Sequence, residues 1–218
     1  MSNDITLHEL TGSPNNVKAR IALGYKGLDY TRKELQLDDY PGNRAPAVSL
    51  SRQPRLPIIE DGKTVIFGSD AIMRYLEANY PDTPTIFSDD HAAFGEIEQW
   101  ELFSRTRIGE PVGMIFGQAF APEADPQVIS RANELLNERT GALEDKLSTG
   151  EFLVGDHLTA GDIACAAPLY LADLTDENAQ SHPIAAFFQA NLELGEGREK
   201  TRAWVRRVMA HDPVKGQR

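Results

Sequence analysis

The feature that most constrains this chain is a change in its periodicity at residues 81–90 (PDTPTIFSDD). Before that proline-bearing stretch, strand and helix signals alternate. After it, only helical signals remain. ITLHEL (5–10) alternates apolar and polar residues, as a half-buried strand does. A polar loop then feeds an amphipathic helix predicted over about 14–26 and stopped by Gly27. LDYTRKEL (28–35) predicts a second strand. The polar stretch 38–55 shows no clear period and leaves room for a short helix. LPIIED (56–61) and TVIFG (64–68) flank Asp61-Gly62-Lys63, a hairpin signal. SDAIMRYLEANY (69–80) carries Ala71, Ile72, Tyr75 and Leu76 close to helical spacing. The predicted order is β-α-β-(α)-β-β-α.

Beyond residue 90 the spacing predicts a long helix over 91–118 and another over 126–147. A third lies in DHLTAGDIACAAPLYLADL, and two short ones fill 182–191 and 198–210. The expected organisation is an α/β domain at 1–81, a linker at 82–90 and an all-α domain at 91–218. A chain of 218 residues suits one large domain or two small ones.

Charge and cysteine content narrow the partners. With 22 basic against 33 acidic residues, the formal net charge is −11, which repels phosphate backbones and anionic membranes. Nucleic acid and membrane are therefore not expected. Cys165 is the single cysteine, so neither an intramolecular disulfide nor a cysteine metal site is possible. A cytoplasmic location is expected, because the start MSNDITLHEL lacks the basic and apolar regions of a signal peptide. The five histidines are scattered, with no pair at metal-ligand spacing, and no metal is expected.

Four local features carry the chemistry. Ser13-Pro14 opens the first helix. Serine before proline is a common helix start, with Ser as the cap and Pro at the first helical position. The same helix terminus also stabilises an anion such as a thiolate, to which a serine hydroxyl can donate. Leu56-Pro57 opens a strand, where an edge trans proline and a cis turn both fit. The cis form would leave the Leu56 backbone free to pair with an extended ligand. Ser69, after Gly68, is expected as the N-cap of the next helix, whose N–H groups can bind a carboxylate. Thr159-Ala160-Gly161-Asp162 reads as a capping box that nucleates a buried helix and carries no chemistry.

Taken in order, SPNNVKARIALGYKGLDY, RLPIIEDGKTVIFGSDAIMRYLE and the TAGD box resemble the glutathione S-transferase family over nearly the whole chain. The resemblance implies a thioredoxin-like N-terminal domain that binds glutathione, followed by a helical-bundle domain that supplies a pocket for an electrophile. It implies a catalytic hydroxyl at Ser13, as in serine-type members, since Glu9 lies near the place that tyrosine-type members use. Asn15 resembles the asparagine of the Thr-Pro-Asn loop in nu-like members, where it helps hold the glutathione sulfur. Leu56-Pro57 would be a cis step pairing with the cysteinyl backbone, and Ser69 would bind the γ-glutamyl carboxylate. Arg55 is placed to meet the glycyl carboxylate. The chain departs from the pattern at Gly68, where the family usually has Glu or Gln. That removes a ligand contact worth about 1–3 kcal/mol, part of which Asp70 can replace. In the helical domain, Phe103, Arg107 and Met114 are the candidate pocket residues, with core packing as the alternative for the apolar ones.

The expected function is that of a cytosolic glutathione transferase. Glutathione is the co-substrate, a hydrophobic electrophile the partner, and a homodimer the family's usual assembly. A disulfide reductase or peroxidase that uses glutathione, or a binding module without catalysis, are the alternatives.

Overall fold

The computed structural model describes residues 4–10, 12–35, 44–180 and 182–214. It divides into two compact units, Met1–Ile86 with His211–Lys215, and Phe87–Ala210. The segment His211–Val214 groups with the first unit. No helix among the described residues is long and apolar enough to cross a membrane.

The first unit runs β1 (Ile5–Leu10), α1 (Pro14–Tyr25), β2 (Tyr30–Leu35), α2 (Ala45–Ser51), β3 (Ile58–Asp61), β4 (Thr64–Phe67) and α3 (Ser69–Asn79). Four strands form one sheet in the order β2-β1-β3-β4. β1 lies parallel to β2, with Ile5 opposite Tyr30, and antiparallel to β3, with Ile5 opposite Asp61. The hairpin β3–β4 turns at Gly62, whose φ of 58° suits glycine. Ile5 and Leu7 of β1, with Ile58 and Ile59 of β3, are buried. Ile59, opposite Leu7, shares its face of the sheet, Ile58 lies on the other, and Val17, Ile21 and Leu23 of α1 with Ile72, Met73 and Leu76 of α3 are buried too. Strand β2 begins at Tyr30, two residues later than its sequence suggests. Helix α2 lies in the stretch without a clear period and buries only Ala47, which explains why no period shows. Residues 36–43 of that region lie outside the described residues.

The second unit holds α4 (His91–Phe103), a π-helical turn (Ser104–Ile108), α5 (Gly109–Ala119), α6 (Pro126–Lys146), α7 (Ala160–Leu169) with a 3-10 turn (Tyr170–Ala172), α8 (Asp176–Gln180), α9 (Pro183–Asn191) and α10 (Glu199–Met209). The helix expected over 91–118 is thus interrupted by the π turn. Ser104 in that turn donates from Oγ to the Ala164 carbonyl at 2.5 Å. Pro168, four residues beyond Ala164 inside α7, has no N–H to offer that carbonyl. The hydroxyl of one helix therefore supplies the donor that proline removes from the other. Gly161 permits the approach, since a Cβ there would lie 3.1 Å from Trp100 Cβ.

The TAGD segment is the capping box the sequence predicts. Thr159 donates from its backbone N and its Oγ1 to Asp162 Oδ2, at 2.9 and 2.7 Å. The other oxygen of Asp162 accepts from Leu153 N and Trp204 Nε1, each at 2.9 Å. Every contact serves packing, and α7 is buried along its whole length.

Candidate active site in the N-terminal unit

Ser13 stands at the N-cap of α1 with extended backbone angles (φ −75°, ψ 125°). Its carbonyl accepts from Asn16 N at 2.9 Å and Val17 N at 3.0 Å, and its N–H donates to the Leu10 carbonyl at 3.2 Å. The backbone alone therefore starts the helix. The side chain makes no capping bond, and among the described residues its hydroxyl has no partner. The expected side-chain cap is absent, and the half-buried hydroxyl remains available at the positive end of a 12-residue helix. Asn15 is exposed in the first turn, and Pro14 occupies the position where a missing N–H costs nothing.

The Leu56-Pro57 bond is cis, the isomer that the resemblance implies. The Pro57 carbonyl accepts from Gly68 N at 3.0 Å, which fixes this turn against the start of α3. Among the described residues the Leu56 N–H and C=O make no hydrogen bond. Arg55 is exposed. Its backbone is held by Gln53, whose Oε1 accepts from Arg55 N at 2.7 Å and whose Nε2 donates to Arg55 O at 2.8 Å. Its guanidinium has no partner among the described residues.

At α3 the structure corrects the sequence reading. The N-cap is Gly68, and Ser69 is the first helical residue. Gly68 adopts φ 86°, a conformation that side-chain-bearing residues rarely take, and this kink turns the chain from β4 into the helix one residue early. A Cβ on Gly68 would meet nothing within 4 Å, so space does not dictate the glycine. Ser69 is buried and directs its hydroxyl to Asp70 Oδ1 at 3.4 Å, a long contact.

Sequence reasoning assigned no role to the charged cluster beneath α1. Arg20 is 1% exposed, and Glu9 and Asp212 are 0% exposed. Arg20 donates from Nε and Nη2 to the two oxygens of Asp212, each at 3.0 Å, and from Nη1 to Glu9 Oε2 at 2.5 Å. Arg32 Nε donates to the other oxygen of Glu9. Burial opposes the charge on Arg20, but the flanking carboxylates outweigh it and hold its pKa above the ordinary value. Burial likewise pushes the Tyr30 hydroxyl up. The available signal was an acid at an inward-facing strand position, since Glu9 follows Ile5 and Leu7 with period two.

In the helical unit, Phe103 is half-buried, with its ring edge-on to Trp100 at 5.3 Å. Met114 is half-buried on α5. Arg107 is exposed on the π turn, where its carbonyl accepts from Arg139 Nη1 at 2.8 Å.

Comparison with known proteins matches this arrangement in order along the chain. Residues 7–84 match the glutathione S-transferase N-terminal domain, and residues 105–212 match the glutathione S-transferase C-terminal domain. Glutathione S-transferase F10 of Arabidopsis thaliana is 30% identical over 155 residues, covering 67% of this chain and 71% of that protein. Elongation factor 1-gamma 1 of Oryza sativa subsp. japonica is 30% identical over 172 residues, covering 77% of this chain and 40% of that longer protein. The solved theta class glutathione S-transferase from the citrus canker pathogen Xanthomonas axonopodis pv. citri, with glutathione bound, has a TM-score of 0.77 at 22% identity. That likeness spans 99% of this chain and 100% of that one and carries the fold alone. With both domains matched in sequence order and the same fold, the chain belongs to the glutathione S-transferase family.

Proposed function

We propose that this chain is a serine-type glutathione transferase that binds glutathione on the first unit and stabilises its thiolate at Ser13. The observation that carries the reading is the Ser13 hydroxyl, half-buried at the N-terminus of α1 and committed to no capping bond. A thiolate there gains one hydroxyl donor and the helix's terminal N–H groups, which together lower the thiol's pKa. Asn15 is a second donor to the sulfur. The Leu56 main chain would pair with the cysteinyl residue, Arg55 would meet the glycyl carboxylate, and Ser69 with Asp70 would face the γ-glutamyl end. Phe103, Met114 and Arg107 of the helical unit would contribute to the electrophile's pocket. The thiolate attacks an electrophilic carbon of a hydrophobic substrate, forming a C–S bond as the leaving group departs. The protein supplies thiolate stabilisation and positioning, and no step requires a metal. A homodimer in the cytoplasm completes the reading.

Two measurements test it. Millimolar glutathione should raise the melting temperature by linkage, and no shift would count against binding. Ser13→Ala should cut conjugation of an aryl halide by roughly tenfold to a hundredfold, as loss of a strong donor to a developing charge does. An unchanged rate would reduce Ser13 to a backbone cap.

A second reading, a transferase fold used for binding without catalysis, is favoured by one residue. Gly68 lacks the side chain that usually grips the γ-glutamyl end, and a relative at 30% identity carries the name elongation factor 1-gamma 1 rather than that of a transferase. Retention on glutathione–agarose without turnover of aryl halides, disulfides or peroxides would select it.

A further inference from the structure

Helix α1 is shaped to receive the segment His211–Val214, which belongs to the same unit. A Cβ on Gly24 would lie 2.1 Å from the His211 carbonyl oxygen and 3.1 Å from Pro213 Cδ, so only glycine permits this approach. One turn nearer the N-terminus, the Arg20 fork holds both oxygens of Asp212. The Tyr25 and His211 rings meet edge-on at 5.1 Å. Asp212 Oδ1 also accepts from Val214 N at 3.0 Å, which folds the segment on itself. Gly24 and Arg20 share one face of the helix, so the segment runs along α1 toward Ser13.

The remaining Arg20 nitrogen, Nη1, reaches Glu9 on β1. Glu9 directly precedes Leu10, whose carbonyl accepts the Ser13 N–H. Glu9 and Arg20 thus bracket Ser13 in sequence and are joined through their side chains. Arg32 also reaches Glu34, whose Oε2 lies 3.5 Å from Arg32 Nη2, whereas Arg20 relies on Glu9 and Asp212. Without Asp212, the buried Arg20 loses the acceptor of Nε and Nη2 and keeps only Glu9, which it shares with Arg32, an arrangement that favours rearrangement over buried donors left unpaired.

We propose that Asp212 is a positioning residue for the Ser13 site: through Arg20 and Glu9 it sets the height of the α1 N-terminus above β1. Its bearing on turnover rests on the reading of Ser13 given above. Asp212 touches no reacting atom.

The test installs a thiol by Ser13→Cys in a Cys165→Ala background and reads its pKa from the pH dependence of iodoacetamide alkylation. A well-placed helix terminus holds that thiol below the ordinary value of about 8.5. Two variants then disturb the segment in different ways. Asp212→Asn removes a charge, whereas Gly24→Ala displaces the His211 carbonyl and leaves every charge in place. The expected result is a rise of at least about half a unit in both, since misplaced donors stabilise the thiolate less. The field alone acts oppositely, because losing a negative charge lowers a thiol's pKa. An unchanged or lowered pKa in either folded variant therefore overturns the proposal. Far-UV circular dichroism checks folding, and if Asp212→Asn does not fold, Gly24→Ala decides by the same criterion. The probe needs no glutathione. A chain that fails to bind glutathione yet shows both shifts refutes the proposed function and keeps the positioning role.

Discussion

Trp204 Nε1 donates to Asp162 Oδ1 at 2.9 Å, tying α10 to the first turn of α7. Four donors converge on that one buried carboxylate, from Leu153, Thr159 twice and Trp204. Asp162→Ala leaves all four unpaired and should cost about 4 kcal/mol or more, whereas Trp204→Phe removes a single donor and should cost about 2 kcal/mol. Urea denaturation followed by far-UV circular dichroism measures both. A cost for Trp204→Phe equal to that of Asp162→Ala would mean that the indole's packing, not the carboxylate, holds the helical unit together.

Ser104 and Pro168 form a pair that never touches through a shared bond, yet each explains the other. Ser104→Ala orphans the Ala164 carbonyl and should cost about 1–3 kcal/mol. Pro168→Ala restores an N–H to that carbonyl from within α7. In the double variant the cost of Ser104→Ala should therefore shrink to well under half, and the coupling is read directly from a double-mutant cycle. Additive costs would sink the argument.

Gly68→Gln tests the ligand side of the site. The φ of 86° penalises any side chain by about 1–2 kcal/mol, so the apo melting temperature should fall. The open space beyond the Cα lets the amide extend without collision. Calorimetric titration should show glutathione binding strengthened by about threefold to tenfold, the gain from one added hydrogen bond. A lower melting temperature with unchanged affinity would show that no ligand group stands opposite that position.

Acid stability should depend on Glu77. Burial alone would raise its pKa, but bonds from Lys26 Nζ at 2.8 Å, Thr85 Oγ1 and Ile86 N at 3.2 Å outweigh that and hold it below the ordinary value. A depressed carboxylate contributes stability that is complete above its unfolded pKa of about 4.3 and is lost as pH falls through the folded value. Glu77→Gln should therefore lower the urea midpoint at pH 7 and differ little from the parent near pH 3. A constant difference at both values would assign the effect to packing.

The sequence makes local features legible where the physics is local. The alternation in ITLHEL marks β1, and the Ser-Pro and Asp-Pro pairs mark the starts of α1 and α6. Thr159 with Asp162 marks α7. Legibility fails where the cause lies far along the chain. Arg20 and Asp212 are 192 positions apart, and nothing near Asp212 announces its partner. The π turn in the expected long helix belongs to the same class, since its Ser104 answers a proline on another helix. At Gly68 the residue was visible but its backbone angle was not, and that angle moved Ser69 from the cap into the helix. The place of Ser13 at the start of α1 was legible, yet only the structure shows that its side chain makes no capping bond.

The return of His211–Val214 to α1 bears on how the molecule is made. Chains usually fold domain by domain as they leave the ribosome, the N-terminal one first. Here the first unit has all of its strands once Ile86 has emerged, but Arg20 must wait for Asp212 until the entire helical unit has been synthesised. During that interval a guanidinium lacks its second carboxylate. The Arg20–Asp212 pair can therefore form only after the helical half has been translated, which makes it the last contact of the first unit that synthesis permits.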